Sequence, residues 1–368
     1  MLGSSKEKIS EKQLTNMITL FTIGSAILFT PSLLANAAKQ DAWISAIVAT
    51  VIALFLVLFY SKLHELYPKK SYFECTTYVL GKWVGGVIIF ITYMYLFLLC
   101  SILLWDIGDF LKTQILVQTP IQVIHILFML TVIYTIRLGI ENVGRTSEIF
   151  LPWVLGLFFL LCIFLIGSLE KENLLPYIEK GIKPVIHGSY YLLAFPYLEL
   201  FVFLMITPYV NKEAKVKKSF LQGTLIGGLL LTTVTFLCIL VLGSDVTIRN
   251  MFPVYLLGKK VSIGEFLERL EVIIAIIWFL SIYFKLAILF YILVASLSDF
   301  VRAKDYRPIT LPLGMLIVVM VPIMFTSTMQ FASFDKEVFF PLTYIVGFLL
   351  PLMVYIAGKI KLKKENRV

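Results

Sequence analysis

Apolar runs long enough to cross a lipid bilayer recur ten times along this chain, at residues 14–37, 43–60, 84–104, 121–136, 149–166, 185–209, 220–242, 267–294, 309–325 and 338–357. A hydrocarbon core about 30 Å thick takes about 20 apolar residues as a helix. Inside it every backbone amide and carbonyl must be satisfied within the protein, so each run is expected to be α-helical. Hydrophobic residues make up 59% of the 368 positions and charged residues 15%. The expectation is an all-α membrane protein, with residues 1–368 forming one integral membrane domain. The first run is too long for a removable signal peptide and is kept as the first span.

Two of these runs are interrupted where a spanning helix should be continuous. The first carries Gly24-Ser25-Ala26 near its centre and then Thr30-Pro31; the sixth carries Phe195-Pro196-Tyr197 and, beyond it, Glu199. Proline lacks an amide donor and crowds the preceding turn. Non-helical backbone at bilayer depth is tolerated where it is buried in protein or lines an aqueous cavity.

Lys and Arg concentrate in one alternate set of loops, among them Lys69, Lys70, Lys215, Lys217 and the basic tail 359–368. Positive residues stay cytoplasmic, so both termini are expected there. Ten spans with both ends on one side divide into five and five, and an odd number per half inverts the halves relative to each other. The fold class expected is therefore ten transmembrane helices in a 5+5 inverted repeat, about 10–167 and about 184–358, with discontinuous helices 1 and 6. In such folds, interrupted segments at matching positions mark a binding site near the midplane. The outer stretch 243–266 reads as a turn, an aromatic segment with Pro253 and Tyr255, and a short amphipathic helix; a partial lid and an interfacial helix are both open readings.

The net charge of +9 lies in short loops and the tail, as expected for contact with anionic lipid, and does not call for nucleic acid. Cys75, Cys100, Cys162 and Cys238 are far apart and mostly sit in apolar runs, which predicts neither a disulfide nor a metal site. His64, His125 and His187 share no ligand spacing, and neither a phosphate loop nor a nucleophile elbow is present, so neither an enzyme nor a bound cofactor is expected.

Several phrases are familiar. The opening ISEKQLTNMITLFTIGSAILFTPSLLANAAKQDAWIS at 9–45, TPIQVI at 119–124, GRTSEIFLP at 144–152 and ERLE at 268–271 resemble the B subunits of bacterial spore nutrient-germinant receptors. Those subunits are similar to transporters of the amino acid, polyamine and organocation superfamily. The resemblance implies a membrane subunit that recognises a small nutrient, commonly an amino acid, and works with an A subunit and a lipoprotein C subunit in the endospore inner membrane. The competing reading is a proton-coupled amino-acid permease of the same fold. A membrane scaffold with a vestigial pocket would leave the charges in spans six and eight unexplained.

Candidate ligand-binding residues follow from the interrupted spans. Gly24, Ser25 and Ala26 let a ligand approach unwound main chain, whose amides can meet a carboxylate; close helix packing is the alternative. Phe195 and Tyr197 would shape the pocket wall. Glu199 sits midway through its run, where an ionisable group costs at least about 2.5 kcal/mol and is seldom kept without a partner. It reads either as an amine-recognising or proton-linked group, or as a protonated carboxyl bonded to a neighbouring helix.

In span eight, Glu271, Trp278 and Lys285 are spaced by seven, with Ser281 between the last two, so all four share one helical face that should look into the bundle. In related sodium-coupled carriers the matching helix helps hold a cation beside unwound span one. The expectation is that the Lys285 ammonium takes that place and donates to the freed carbonyls there. The resemblance also singles out Tyr95, by its spacing from TPIQVI, over Tyr93. Glu268, at the mouth of span eight, joins Glu199, Glu271 and Lys285 as a gating or coupling candidate; it is equally a solvated helix start.

Overall fold

The computed structural model describes residues 8–211, 215–260 and 270–365. Among them the chain is helical throughout, with a single isolated β-bridge between Ile9 and Val210 and no strand. Among the described residues, eight helical stretches are long and apolar enough to cross a membrane. The apolar helix α5 (Ile121–Arg137) is shorter. Large apolar side chains such as Phe55, Val87, Phe90, Trp153 and Phe159 are more than half exposed on the outside of the bundle. That much open apolar surface suits a lipid solvent and not water. The chain is an integral, multi-pass membrane protein.

α1 (Glu11–Ile23) starts at a capping box, in which Ser10 accepts from the Gln13 amide while the Gln13 side chain accepts from the Ser10 amide. It stops at Gly24, whose φ of 28° and ψ of −128° leave the helical region. The chain resumes as α2 (Ala26–Ala38). Pro31, the other expected point of interruption, lies inside α2, so the break belongs to the glycine.

A second break follows α7 (Lys183–Leu192). Residues Leu193–Tyr197 form a wide π-type turn with Phe195 extended at φ −135° and ψ 108°, and Leu198–Met205 continues as a narrow 3₁₀ helix. Wide and narrow turns leave carbonyls without their α-helical partners. The Tyr60 hydroxyl, on α3 (Ala42–Leu66), lies 3.1 Å from the Leu198 carbonyl and 2.7 Å from that of Gly347, and so reaches into this irregular region.

Small residues bring the helices together. On α8 (Val216–Arg249), Gly223 and Gly227 abut Ile18 and Thr22 of α1, and Gly228 abuts Thr50 of α3. Any Cβ at these glycines would lie within 2.7 Å of a neighbour, so here the small side chains serve close packing. The two interrupted segments are also tied at their far ends, where the Ile9 amide donates to the Tyr209 carbonyl and the Asn211 amide to the Ile9 carbonyl, each at 2.9 Å.

α4 (Tyr72–Phe110) turns at Gly81, φ 80°, and then runs unbroken well past the apolar run that marks it in the sequence. α8 turns similarly at Gly243, φ 75°, and is followed by the short helix α9 (Pro253–Lys260). Phe252 packs on Phe29 of α2 and Phe110 of α4, and Tyr255 on Phe110, so this segment is anchored to the bundle by its aromatic side chains. The remaining described helices are α6 (Ile140–Leu165), α10 (Glu271–Phe300), α11 (Arg307–Met324), α12 (Thr328–Phe334), α13 (Phe340–Tyr344) and α14 (Leu350–Glu365). Wide turns at Asp335–Phe339 and Ile345–Leu349 separate the last three.

Candidate functional site

The two breaks meet a common partner on α10. Lys285 and Glu199 are both fully buried, and the ammonium lies 2.6 Å from Glu199 Oε2. This contact falls outside good hydrogen-bond alignment, so both carboxylate oxygens and the ammonium keep unused hydrogen-bonding capacity. The ammonium also sits over the rings of Phe195, 4.4 Å from its centroid, and Phe21, 5.1 Å from its centroid. Such placement is attractive, and most so away from water.

One turn earlier, Ser281 Oγ donates to the Gly24 carbonyl at 3.0 Å, and the Trp278 carbonyl lies at the same distance. Gly24 itself has no room for a side chain: a Cβ built there would lie 2.5 Å from Lys285 Cδ and 2.8 Å from the Phe21 carbonyl. The first break therefore packs directly on the lysine stem.

This geometry corrects one expectation. The carbonyl freed at Gly24 is served by Ser281, while the Lys285 ammonium reaches past it to Glu199 on the second broken segment. A carboxylate is the stronger partner for an ammonium than a neutral carbonyl, and it also neutralises a charge that would otherwise be buried alone.

Five sequence-predicted residues thus come together: Gly24, Phe195, Glu199, Ser281 and Lys285. Ser25 adjoins the first break with its hydroxyl buried and unpartnered, and Ala26 is buried at the start of α2. The Tyr197 hydroxyl is taken by Thr50 at 2.7 Å, and that of Tyr95 by Thr343 at 3.1 Å, with the Tyr95 ring parallel to Phe339. Trp278 packs its ring 4.5 Å from that of Phe110 and, with half-buried Glu271, lines a cavity between α4, α9 and α10. Glu268 lies outside the described residues.

Another opening stands beside the second break. A cavity of about 600 Å³ is bounded by α2, α4, α7, α12 and the wide turn at Asp335–Phe339. Of the predicted site residues that the structure describes, only Phe195 lines it. Its walls are largely apolar, with Phe29, Leu33, Ile102 and Phe339, but two carboxylates, Asp106 and Asp335, face it as well. The sequence reading missed both. Each lies just outside a continuous apolar run, where a charge reads as the wet end of a span.

Fold and site together describe a multi-pass membrane protein with broken helices around a buried ion pair. Solved structures support the fold. The chain is similar to MHP1, a nucleobase-cation-symport-1 family transporter with bromovinylhydantoin bound, at TM-score 0.68 and 12% identity, covering 95% of this chain and 78% of that one. It is also similar to MhsT in complex with L-phenylalanine, at TM-score 0.63 and 13% identity, covering 97% and 88%.

Residues 8–332 match the family described as spore germination protein, and the chain belongs to that family. Among its relatives, spore germination protein KB of Bacillus subtilis (strain 168) is 30% identical over 367 residues, covering 98% of this chain and 97% of that protein. Spore germination protein XB of Bacillus anthracis is 24% identical over 346 residues, covering 92% and 95%.

Proposed function

We propose that this chain is the membrane subunit of a spore nutrient-germinant receptor, in which binding of a small nutrient, an amino acid, triggers germination. The observation that carries the reading is the convergence of both helix breaks on one buried ion pair. Backbone irregularity and a buried charge pair are each costly in lipid, and a structure that concentrates them beside a cavity is arranged for a polar solute. Membership of the spore germination family supports the germination role. The transporter-type fold, with a structural neighbour that holds L-phenylalanine, supports the ligand class.

In this reading the spans are ten, arranged as a 5+5 inverted repeat, with both termini cytoplasmic and the protein in the inner membrane of the endospore. A and C subunits receive the signal. The nutrient enters from the face on which α2 ends and α7 begins. It binds beside the breaks, where Gly24, Ser25 and Ser281 supply close main-chain approach and Phe195 a wall, with Glu199 and Lys285 as the coupling pair. To signal, the nutrient must bind one arrangement of the bundle more tightly than the other, since equal affinity shifts nothing.

Spores lacking this gene should lose germination in response to a particular amino acid while vegetative growth is unchanged. Proteoliposomes containing the chain alone should bind that amino acid saturably without concentrating it. Intact germination to every nutrient in the deletion strain defeats the receptor reading. Proton-driven accumulation in the vesicles would instead establish a proton-coupled permease, the second reading that the transporter-type fold favours.

A further inference from the structure

We infer that the cavity beside the second break is an ammonium-anchoring subsite, which receives the protonated amine of an organic ligand between Asp106 and Asp335 and its apolar body against Phe195, Phe339 and Leu33. The inference rests on the nutrient-binding reading above and deepens it by naming the ligand's chemistry.

Asp106 carries the argument. It lies on the stretch of α4 that runs past the apolar run, its residue is only 4% exposed, and it lines the cavity. Among the described residues neither a hydrogen bond nor an ion pair reaches its carboxylate, although the cations that do pair are accounted for elsewhere: Lys285 with Glu199, Lys218 with Glu11, Arg145 with Glu141 and Arg307 with Asp305. A carboxylate so buried and unpartnered is costly unless something that enters the cavity satisfies it. Asp335 contributes a second acceptor, with Oδ1 buried and unpartnered, from the wide turn on the same wall.

Neighbouring charge sharpens the choice. The cavity also carries Arg249 and Lys336, but both of these are exposed, whereas Asp106 is buried. Negative charge therefore lies inward and positive charge toward solvent. A dipolar solute entering amine first finds its ammonium matched by the carboxylates and its anionic end near the two cations; the reverse orientation is repelled at both ends. A bare metal ion would fill a small part of about 600 Å³ and leave the aromatic and aliphatic walls unused.

The test uses the purified full-length chain in detergent and reads ligand binding by thermal shift and calorimetry. The probes are a series of primary amines, from ethylamine to hexylamine with phenethylamine, set against the carboxylates of the same carbon skeletons and against potassium chloride. Saturable binding of at least one amine is expected, with the matching carboxylate much weaker.

Asp106→Asn and Asp335→Asn, which keep size and polarity but remove charge, should each weaken that amine by about 10- to 100-fold, the range of a charge-assisted hydrogen bond. Unchanged melting temperature without ligand shows that both variants are folded; Asp106→Glu, which retains the charge, should recover part of the affinity. Failure of every amine, equal binding of the carboxylates, a response to potassium alone, or amine affinity unmoved in both asparagine variants overturns the subsite. Amine binding that survives while deletion of the gene leaves germination intact would refute the receptor reading and keep the subsite.

Discussion

Removing one member of the Lys285 and Glu199 pair should damage the protein far more than removing both. At 2.6 Å and an effective dielectric of about 20, two unit charges attract by about 6 kcal/mol, and desolvation of both groups consumes much of that. The net worth of the pair is therefore small, but the loss of one partner is not. Lys285→Met leaves a buried carboxylate with no counter-charge, at an expected cost of about 3 to 5 kcal/mol. Glu199→Gln should cost less, because the ammonium keeps the faces of Phe195 and Phe21, each worth about 1 to 2 kcal/mol when desolvated.

The double variant Lys285→Met with Glu199→Leu has neither charge and should recover most of the stability, giving a coupling of about 2 to 4 kcal/mol in a double-mutant cycle. Glu199→Leu alone completes that cycle. Equilibrium unfolding of the four proteins in mixed micelles, followed by tryptophan fluorescence, measures it. Additive effects, with the double variant as damaged as the sum of the singles, would refute the claim that the two charges hold each other.

Two further predictions concern the first break. Gly24→Ala places a methyl group against the Lys285 stem at a φ of 28°, and should cost about 1 to 3 kcal/mol in the same unfolding assay; a stability equal to wild type would remove the tight contact argued above. Ser281→Ala strands the buried Gly24 carbonyl and should cost about 1 to 3 kcal/mol, whereas Ser281→Thr, which keeps the donor, should be better tolerated; equal losses for both would show that the hydroxyl's bond is immaterial.

The elements of this fold are legible in the sequence because lipid imposes one rule everywhere. Apolar length marks a helix, and an ionisable or helix-breaking residue inside such a length marks an exception that something must compensate. Gly24, Glu199 and Lys285 each stand out this way. Their partnership does not: Glu199 and Lys285 lie on different helical segments, and nothing in the sequence sets an ammonium facing Glu199 rather than the Gly24 carbonyl. Position along a helix fixes which face a residue shares, while the identity of what it meets is a tertiary fact.

Asp106 and Asp335 escaped for a different reason. Hydropathy reads a charge at the end of an apolar run as lying in water, but α4 continues through Trp105-Asp106 to Phe110, and the surrounding helices bury that end in protein. A charge bordering a vestibule and a charge bordering bulk solvent look alike in a one-dimensional profile.

The ion pair also restricts how the bundle can switch. Reversing an equilibrium from 1:99 to 99:1 requires a ligand to prefer one state by about 5.5 kcal/mol. A rearrangement that pulled Glu199 from Lys285 without a new partner would consume about 3 to 5 kcal/mol of that preference. A small solute could hardly drive it. The favourable route keeps the pair closed and carries α10 together with the second broken segment, so that the moving contacts lie at the first break and around the cavity lined by Asp106 and Asp335. There the Ser281 bond to Gly24 is worth about 1 kcal/mol, and it is a contact that a ligand's own polar groups can replace. Under the proposed receptor reading the pair would then act as the pivot, and the glycine break as the element whose partners a nutrient would exchange.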